Sequence, residues 1–345
     1  TVSNSSELKS ALSNASGGET IVLKNGYYGD LTISNENYNS SVNIVAENNL
    51  GADFGKVTVT KSSNISFDGL DTTDFAVYDT NHIAIKNSYG IIYLKNVYHA
   101  DIDNNEVEGS YNGITLNDVR HFSVTNNYVH HAQSDLLRVT GDSYDGLIDN
   151  NILYDALPVR TGAIPMQGIF IAIPDDGYKN YLIEDNLINV GSPNSIYMSG
   201  GQENVIIRNN SLIANEGGGG NIILANKTGL DNSGTTVTGN IAKVLSDETK
   251  SSNIGDNYFY GRDADLSKLF SGDGDSWQDY LPVNGSKAEN YGATDYLDDL
   301  AAGKVETRTL SETDNPETPD QPETDSTPDT STDGSNSGVE VFAHE

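Results

Sequence analysis

The feature that most restricts how this chain can fold is a short β-branched strand, ending in a polar residue and asparagine, that returns along the middle of the sequence. It reads Ile85-Lys-Asn87, Ile102-Asp-Asn-Asn105, Val124-Thr-Asn-Asn127, Ile148-Asp-Asn-Asn151, Ile183-Glu-Asp-Asn186, Ile207-Arg-Asn-Asn210, Val237-Thr-Gly-Asn240 and Ile254-Gly-Asp-Asn257. Successive copies are 17, 22, 24, 35, 24, 30 and 17 residues apart. One supersecondary unit every 20 residues or so, at roughly the period of known repeat folds, builds a solenoid rather than a globular α/β domain.

A second strand follows most copies after a short turn, as in Ile91-Ile-Tyr-Leu94, Gly113-Ile-Thr-Leu116, Leu136-Leu-Arg-Val139, Gly168-Ile-Phe-Ile171, Ser195-Ile-Tyr-Met198 and Asn221-Ile-Ile-Leu224. Two or three strands per coil predict an all-β fold, a right-handed parallel β-helix solenoid with a short N-terminal capping helix. The leucine framework of a horseshoe and the 3.6-residue period of a helical repeat are both missing. Asparagine tolerates the left-handed conformation at a corner between sheets, and stacked asparagines hydrogen-bond from coil to coil. The repeated asparagines are therefore read as architecture, not catalysis.

One domain over residues 1–305 is expected. In residues 1–56, Asn4 and Glu7 form a capping box for a helix with Leu8, Ala11 and Leu12 on one side, and Thr20–Lys24 and Leu31–Ile33 read as strands. Regular coils span 57–257, and 258–305, with Trp277, Tyr280, Tyr291 and Tyr296, read as a cap over the last coil's open edge. Residues 306–345 are rich in Thr, Pro, Asp, Glu and Ser and read as a disordered acidic linker. The long 35-residue spacing contains an insertion, Leu157–Met166, and the 30-residue one a smaller excursion at Lys227–Thr235. Loops leaving a solenoid lie mainly on its binding face.

Charge narrows the partners. The 345 residues include 50 Asp and Glu against 19 Lys and Arg, for a net charge of −31. That balance excludes nucleic-acid or anionic-membrane binding through a basic patch. There is no cysteine, so neither a disulfide nor a thiolate-bound metal is available. No apolar run is long enough to cross a membrane as a helix, and no signal peptide is visible at Thr1. The acidic surface suits a salty, calcium-containing exterior, and a monomer is expected.

Aligning the second strands places equivalent side chains in ladders. With Ile114 and Leu116 inward, one outward ladder reads Tyr93, Thr115, Arg138, Phe170, Tyr197, Ile223, and the next reads Lys95, Asn117, Thr140, Ala172, Ser199, Ala225. Aromatic rings offer platforms for sugar faces, and arginine pairs bidentately with a carboxylate. The densest group of chemical side chains is Tyr128-Val-His130-His131-Ala-Gln-Ser-Asp135-Leu-Leu-Arg138. Removing the proton α to a uronate carboxylate needs a cation on the carboxylate, a base and an acid. Arg138 is the candidate cation, His130 or His131 the base and Tyr197 the acid. Tyr93, Lys95, Asn117, Asp135, Arg160, Gln167 and Phe170 are candidate substrate contacts. Hydrolysis by paired carboxylates would instead draw on Asp135, Asp155, Asp175 and Asp176. Asp273-Gly-Asp275 is too short to specify a calcium loop, so no metal ligand is assigned.

The strand-plus-Asn-Asn coils over residues 57–257 resemble the pectate-lyase-like β-helix superfamily. Gly18-Glu-Thr-Ile-Val-Leu-Lys-Asn-Gly-Tyr27 is similar to the first coil of its alginate and chondroitin lyases. His131–Arg138, followed by Gln167-Gly-Ile-Phe170, resembles secreted β-helix proteins joined to calcium-binding nonapeptide repeats. Mannuronan C5-epimerases have a comparable layout, although their Asp-Pro-His-Glu segment is absent here and Ile173-Pro-Asp-Asp176 is the nearest stretch. The resemblance implies a secreted lyase on an acidic, alginate-like polysaccharide, with calcium as the one cofactor it suggests. A C5-epimerase, a polygalacturonase-type hydrolase and a non-catalytic carbohydrate-binding adhesin or surface protein are the alternatives.

Overall fold

A computed structural model describes residues 1–109, 111–155, 167–172, 178–191, 194–200, 202–215, 218–272 and 276–305. Two compact units divide the chain, Thr1–Arg308 and Thr309–Glu345. The second lies outside the described residues, as does the expected linker. The first is a right-handed parallel β-helix.

Each regular coil contributes three strands, named here by the sheets they form. Sheet A holds the strands that end in asparagine: Thr20–Leu23, residues 43–46, 65–68, 83–86, 100–103 and 122–125, then Tyr144–Asp149, Tyr178–Glu184, Gln202–Arg208, Thr235–Thr238 and Asn253–Ile254. Sheet B follows the asparagine corner and includes Glu106–Glu108, Tyr128–His130, Ile152–Asp155, Leu187–Val190, Ser211–Asn215, Ile241–Ala242 and Tyr258–Phe259. Sheet C holds residues 92–95 and 114–117, then Leu137–Thr140, Gln167–Ala172, Asn194–Met198, Asn221–Leu224 and Val244–Asp247. The sheet B strands do not stand out in the sequence, because several are only two to four residues long and carry little alternation of their own.

Alternation fills the lumen. In sheet A, Phe67, Ile85, Ile102, Val124, Ile148, Ile183 and Ile207 are all buried, and in sheet C so are Ile92, Ile114, Leu137, Ile169, Ile196 and Ile222. Like residues stack on like from coil to coil, which is why β-branched side chains with one preferred rotamer suit the repeat.

The two asparagines of each Asn-Asn pair divide the work between them. The first takes the left-handed turn: Asn104, Asn126, Asn150 and Asn209 have φ of 53°, 56°, 56° and 52°. The second is buried and points along the axis. Asn105 Nδ2 donates to Asn127 Oδ1 at 3.0 Å, and the chain continues through Asn151, Asn186, Asn210, Asn240 and Asn257 at 2.9–3.0 Å. Each Oδ1 also accepts the backbone N–H of the preceding rung, as Asn151 Oδ1 does from Asn127 at 3.0 Å. Both amide ends of these buried side chains are thereby satisfied.

Helix α1, Ser5–Asn14, covers the N-terminal opening with Leu8 and Leu12. Asn4 caps it by accepting the Glu7 N–H at 2.9 Å, but the Glu7 carboxylate accepts the N–H of Ser3 rather than that of Asn4. At the other end, the chain beyond Phe259 runs back over earlier coils. The Tyr280 hydroxyl accepts from Asn189 Nδ2 at 2.7 Å, and Ser211 Oγ accepts the Ala293 N–H at 3.0 Å. Both partners lie on sheet B, so this segment packs along that sheet. Helix α2, Thr294–Ala301, buries Tyr296, Leu297 and Leu300.

Candidate functional site

With sheet B partly covered in this way, the described outer face of sheet C is where chemical side chains converge. Its register is the one the ladder alignment predicts: Tyr93 pairs with Thr115, Thr115 with Arg138, Arg138 with Phe170, Phe170 with Tyr197 and Tyr197 with Ile223. In the neighbouring ladder Lys95 pairs with Asn117, Asn117 with Thr140 and Thr140 with Ala172. Two glycines let sheet C start hard against the corner. A Cβ on Gly113 would lie 2.4 Å from Val129 Cγ1, and one on Gly168 would lie 2.4 Å from Ile188 Cγ2.

The stripe is organised around Arg138. Its guanidinium carbon sits 4.5 Å from the centre of the Phe170 ring, and Phe170 stacks on Tyr197 at 5.4 Å with planes 9° apart. Toward the N-terminal end, Tyr93 packs on Tyr78 at 5.7 Å. Asp135, 1% exposed, fixes the arginine from behind: its Oδ2 accepts from Arg138 Nη1 at 2.5 Å. Burial pushes the Asp135 carboxyl up, while the hydrogen bond and charge of Arg138 pull it back. Asp135 Oδ1 and the neighbouring Gln167 Oε1 are buried acceptors without a hydrogen-bond partner among the described residues. Asp135 stands at the position that matches Gln167, the first residue of its sheet C strand, since Leu137 pairs with Ile169 and the Leu136 N–H donates to the Gln167 carbonyl.

The other predicted residues fall in different places. His130 ends a sheet B strand and is 3% exposed. It stacks on Tyr128 at 4.4 Å, with Nε2 3.5 Å from Glu106 Oε1 and Nδ1 against Nδ1 of His131. That burial withdraws it from the outer face of sheet C. His131, half-buried, takes the turn with φ of 57°. Tyr197 stands two rungs from Arg138 with Phe170 between them, roughly 10 Å at the usual strand spacing. Burial pushes the Tyr197 hydroxyl up, with Glu248 adding to the shift. Arg160, with the insertion 157–166 around it, lies outside the described residues, as do Asp175, Asp176, Asp273, Asp275 and the side chain of Asp155.

Among the described residues, no group of three or more His, Cys, Asp or Glu side chains is placed to hold a metal ion. No described helix is long and apolar enough to cross a membrane.

Two further features stand outside the strand-and-asparagine pattern. Tyr111, 66% exposed, lies beside the site: its carbonyl accepts the Ser134 N–H at 2.7 Å. Histidines 82, 99 and 121 stack on one another at the corner between sheets C and A. Each falls three positions before the β-branched residue that opens the repeat, at Ile85, Ile102 and Val124, a constant offset visible in the sequence.

The family described as "Right handed beta helix region" matches residues 56–242. Pectate lyase Pel9A is similar in structure, with a TM-score of 0.55 at 16% identity over 82% of this chain and 85% of that one. A rhamnogalacturonan lyase gives 0.53 at 13% identity over 83% and 94%. The mannuronan C-5 epimerase AlgE4 A-module of Azotobacter vinelandii gives 0.49 at 15% identity over 75% and 96%. At these identities the first two bear on the fold alone, and the third carries no argument. No curated protein matches the sequence.

Proposed function

The chain belongs to the right-handed β-helix family, and we propose that its sheet C binds a uronate-containing polysaccharide lengthwise and cleaves it by β-elimination. The observation that carries this reading is the Arg138 guanidinium, anchored by buried Asp135 and lying over Phe170 in line with Tyr197. Nη1 serves Asp135, which leaves Nη2 and Nε for a sugar carboxylate. The aromatic faces take the apolar sides of neighbouring sugar rings.

In elimination, Arg138 neutralises the carboxylate and so acidifies the proton on the adjacent ring carbon. His131 is the base assigned to that proton. The C–H electron pair becomes the new carbon–carbon double bond, the glycosidic C–O bond breaks toward oxygen, and the departing oxygen takes up a proton from solvent water. Tyr197 is a stacking platform for a neighbouring unit in this scheme rather than the acid. A substrate of this kind places the work of the protein outside the cell.

The burial of His130 and the prior pairing of Arg138 favour a second reading, binding without chemistry, as in an adhesin. Incubation with alginate, pectate and hyaluronate separates the readings. Ultraviolet absorbance of unsaturated ends that vanishes in Arg138→Ala and His131→Ala supports the lyase. Altered uronate composition without that absorbance assigns an epimerase, and saturated reducing ends assign a hydrolase. Binding that needs Arg138, with no product of any kind, establishes the binding-only role.

A further inference from the structure

The corner between sheets C and A carries a second constellation. His82 and His99 stack at 4.4 Å with planes 12° apart, and His99 and His121 at 5.0 Å and 18°. All three hold left-handed backbone, with φ of 56°, 61° and 55°. Tyr98, 41% exposed, stands edge-on to His99 at 4.5 Å and to His121 at 4.7 Å. Beside the stack opens a groove of about 540 Å³, whose lining includes the three imidazoles, Asp101, Ser123 and Asp145.

The charges around this groove are largely paired. Asp101 faces Lys86 Nζ at 2.5 Å and accepts from Ser123 Oγ at 2.7 Å. Asp145 Oδ2 lies 2.9 Å from His121 Nδ1, and Arg120 is bound to Asp142 at 2.8 Å. Farther along sheet A, Asp68 accepts from Asn87 and Asp103 from Thr125 and Asn126. At the start of the same turn, Asp79 accepts from Asn96, and Asp118 accepts the Asp142 N–H. Of the two lining carboxylates, Asp101 is paired with Lys86 outside the lining and Asp145 with His121. Protonation of His82 and His99 therefore adds positive charge that no lining carboxylate cancels. Above the imidazole range, Asp145 leaves the same groove negative.

We propose that this corner groove is a second binding site for a carboxylated saccharide chain, laid along the solenoid axis and held by protonated His82 and His99. The imidazoles repeat coil by coil, so they present donors in a line parallel to the axis, and Ser123 supplies a hydroxyl for the sugar. Burial first, then the neighbouring His82 and His121 rings, hold the His99 imidazole below its usual range. Binding here switches on in acid and off toward alkaline pH. The inference rests on the polysaccharide reading of sheet C for the class of ligand, but uses none of its residues.

The test measures fluorescence anisotropy of a labelled oligouronate with the full chain, at about pH 5 and about pH 8, the window in which histidine changes charge. Arg138→Ala disables the sheet C site. In that background, binding is expected to persist in acid and vanish in alkali. Adding His82→Asn and His99→Asn is expected to weaken the acid binding about tenfold, or about 1.4 kcal/mol. Asparagine suits the fold because Asn64, Asn180 and Asn204 already hold left-handed backbone at equivalent rungs of this corner. The proposal is overturned if Arg138→Ala abolishes acid binding, if the histidine pair makes no difference, or if a neutral oligosaccharide of equal length binds as well. Failure of the sheet C reading looks different: Arg138→Ala then leaves alkaline binding of the otherwise native chain unchanged.

Discussion

Two corners of the coil use the same backbone device and carry opposite chemistry. At the corner between sheets A and B, a left-handed asparagine is followed by a buried one whose amide links coil to coil. At the corner between C and A, left-handed His82, His99 and His121 give way to Asp145, Asn180 and Asn204 along the axis, and the first two histidines are exposed. Both corners need residue types that tolerate positive φ, and Asn, Asp and His are the non-glycine residues that do so most readily. Burial makes the difference. A buried corner must satisfy every polar atom internally, and from Asn105 to Asn257 an amide with both donor and acceptor does so along a continuous ladder. An exposed corner is free of that demand, and titratable rings can occupy it.

The largest effect that would sharpen this contrast is Asn151→Ala. It removes the acceptor for the Asn127 N–H and the link to Asn186, leaving buried groups unpaired. A loss of about 3 kcal/mol is expected in urea unfolding. A loss under about 1 kcal/mol, the net worth of one ordinary hydrogen bond, would show that the ladder adds little beyond its shape.

Next comes the rung where the buried corner breaks its own pattern. Asp185 stands where neighbouring coils have asparagine, with Asp149 and Glu184 close by. Burial, then the adjoining carboxylates, pushes both Asp149 and Asp185 up to about 6. In the unfolded chain these groups titrate near about 4. Between those values the folded state binds more protons than the unfolded one, so stability is full below about pH 4 and falls as pH rises toward 6. Asp185→Asn should flatten that fall and raise the urea midpoint at neutral pH, by no more than about 1 kcal/mol given solvent screening. An unchanged pH profile would remove the carboxylate pair as its source.

The left-handed turn itself is worth less. Asn150→Ala places a Cβ at φ of 56° and should cost about 1 kcal/mol in the same unfolding assay. Asn150→Gly should cost almost nothing, since Gly239 takes the equivalent turn with φ of 71°. Equal losses from both substitutions would mean that the amide, not the backbone, matters there.

How much of this could be read in advance follows the same division. Sheets A and C were legible because strict alternation over four or more residues fixes both strand and facing, and the outward ladder from Tyr93 to Ile223 pairs as aligned. The three-residue strands of sheet B, such as Glu106–Glu108, were not, because so short a strand carries too little period to stand out. Within the site, the placement of Arg138 against Phe170 followed from register. The burial of His130 did not: adjacent histidines look alike in sequence, and only the corner geometry decides that one stacks under Tyr128 while the other takes the left-handed turn. The histidine stack was written at a fixed offset from each strand, yet its residues are three among only six histidines in the chain. A periodicity search on apolar residues passes over it.

The smallest effect bears most directly on the comparison. His99→Asn alone should change stability by less than about 0.5 kcal/mol, the usual scale for a surface substitution that breaks no cap or buried bond. The backbone demand is met equally by asparagine, and what is lost is ring stacking between exposed groups. The same change at neutral pH removes no net charge, so urea midpoints should coincide there. In acid, the native chain carries crowded imidazolium groups that the variant lacks, and the variant should become the more stable of the two. A drop well beyond 0.5 kcal/mol at neutral pH would show instead that the exposed corner is held together by its side chains, as the buried one is, and the contrast between them would collapse.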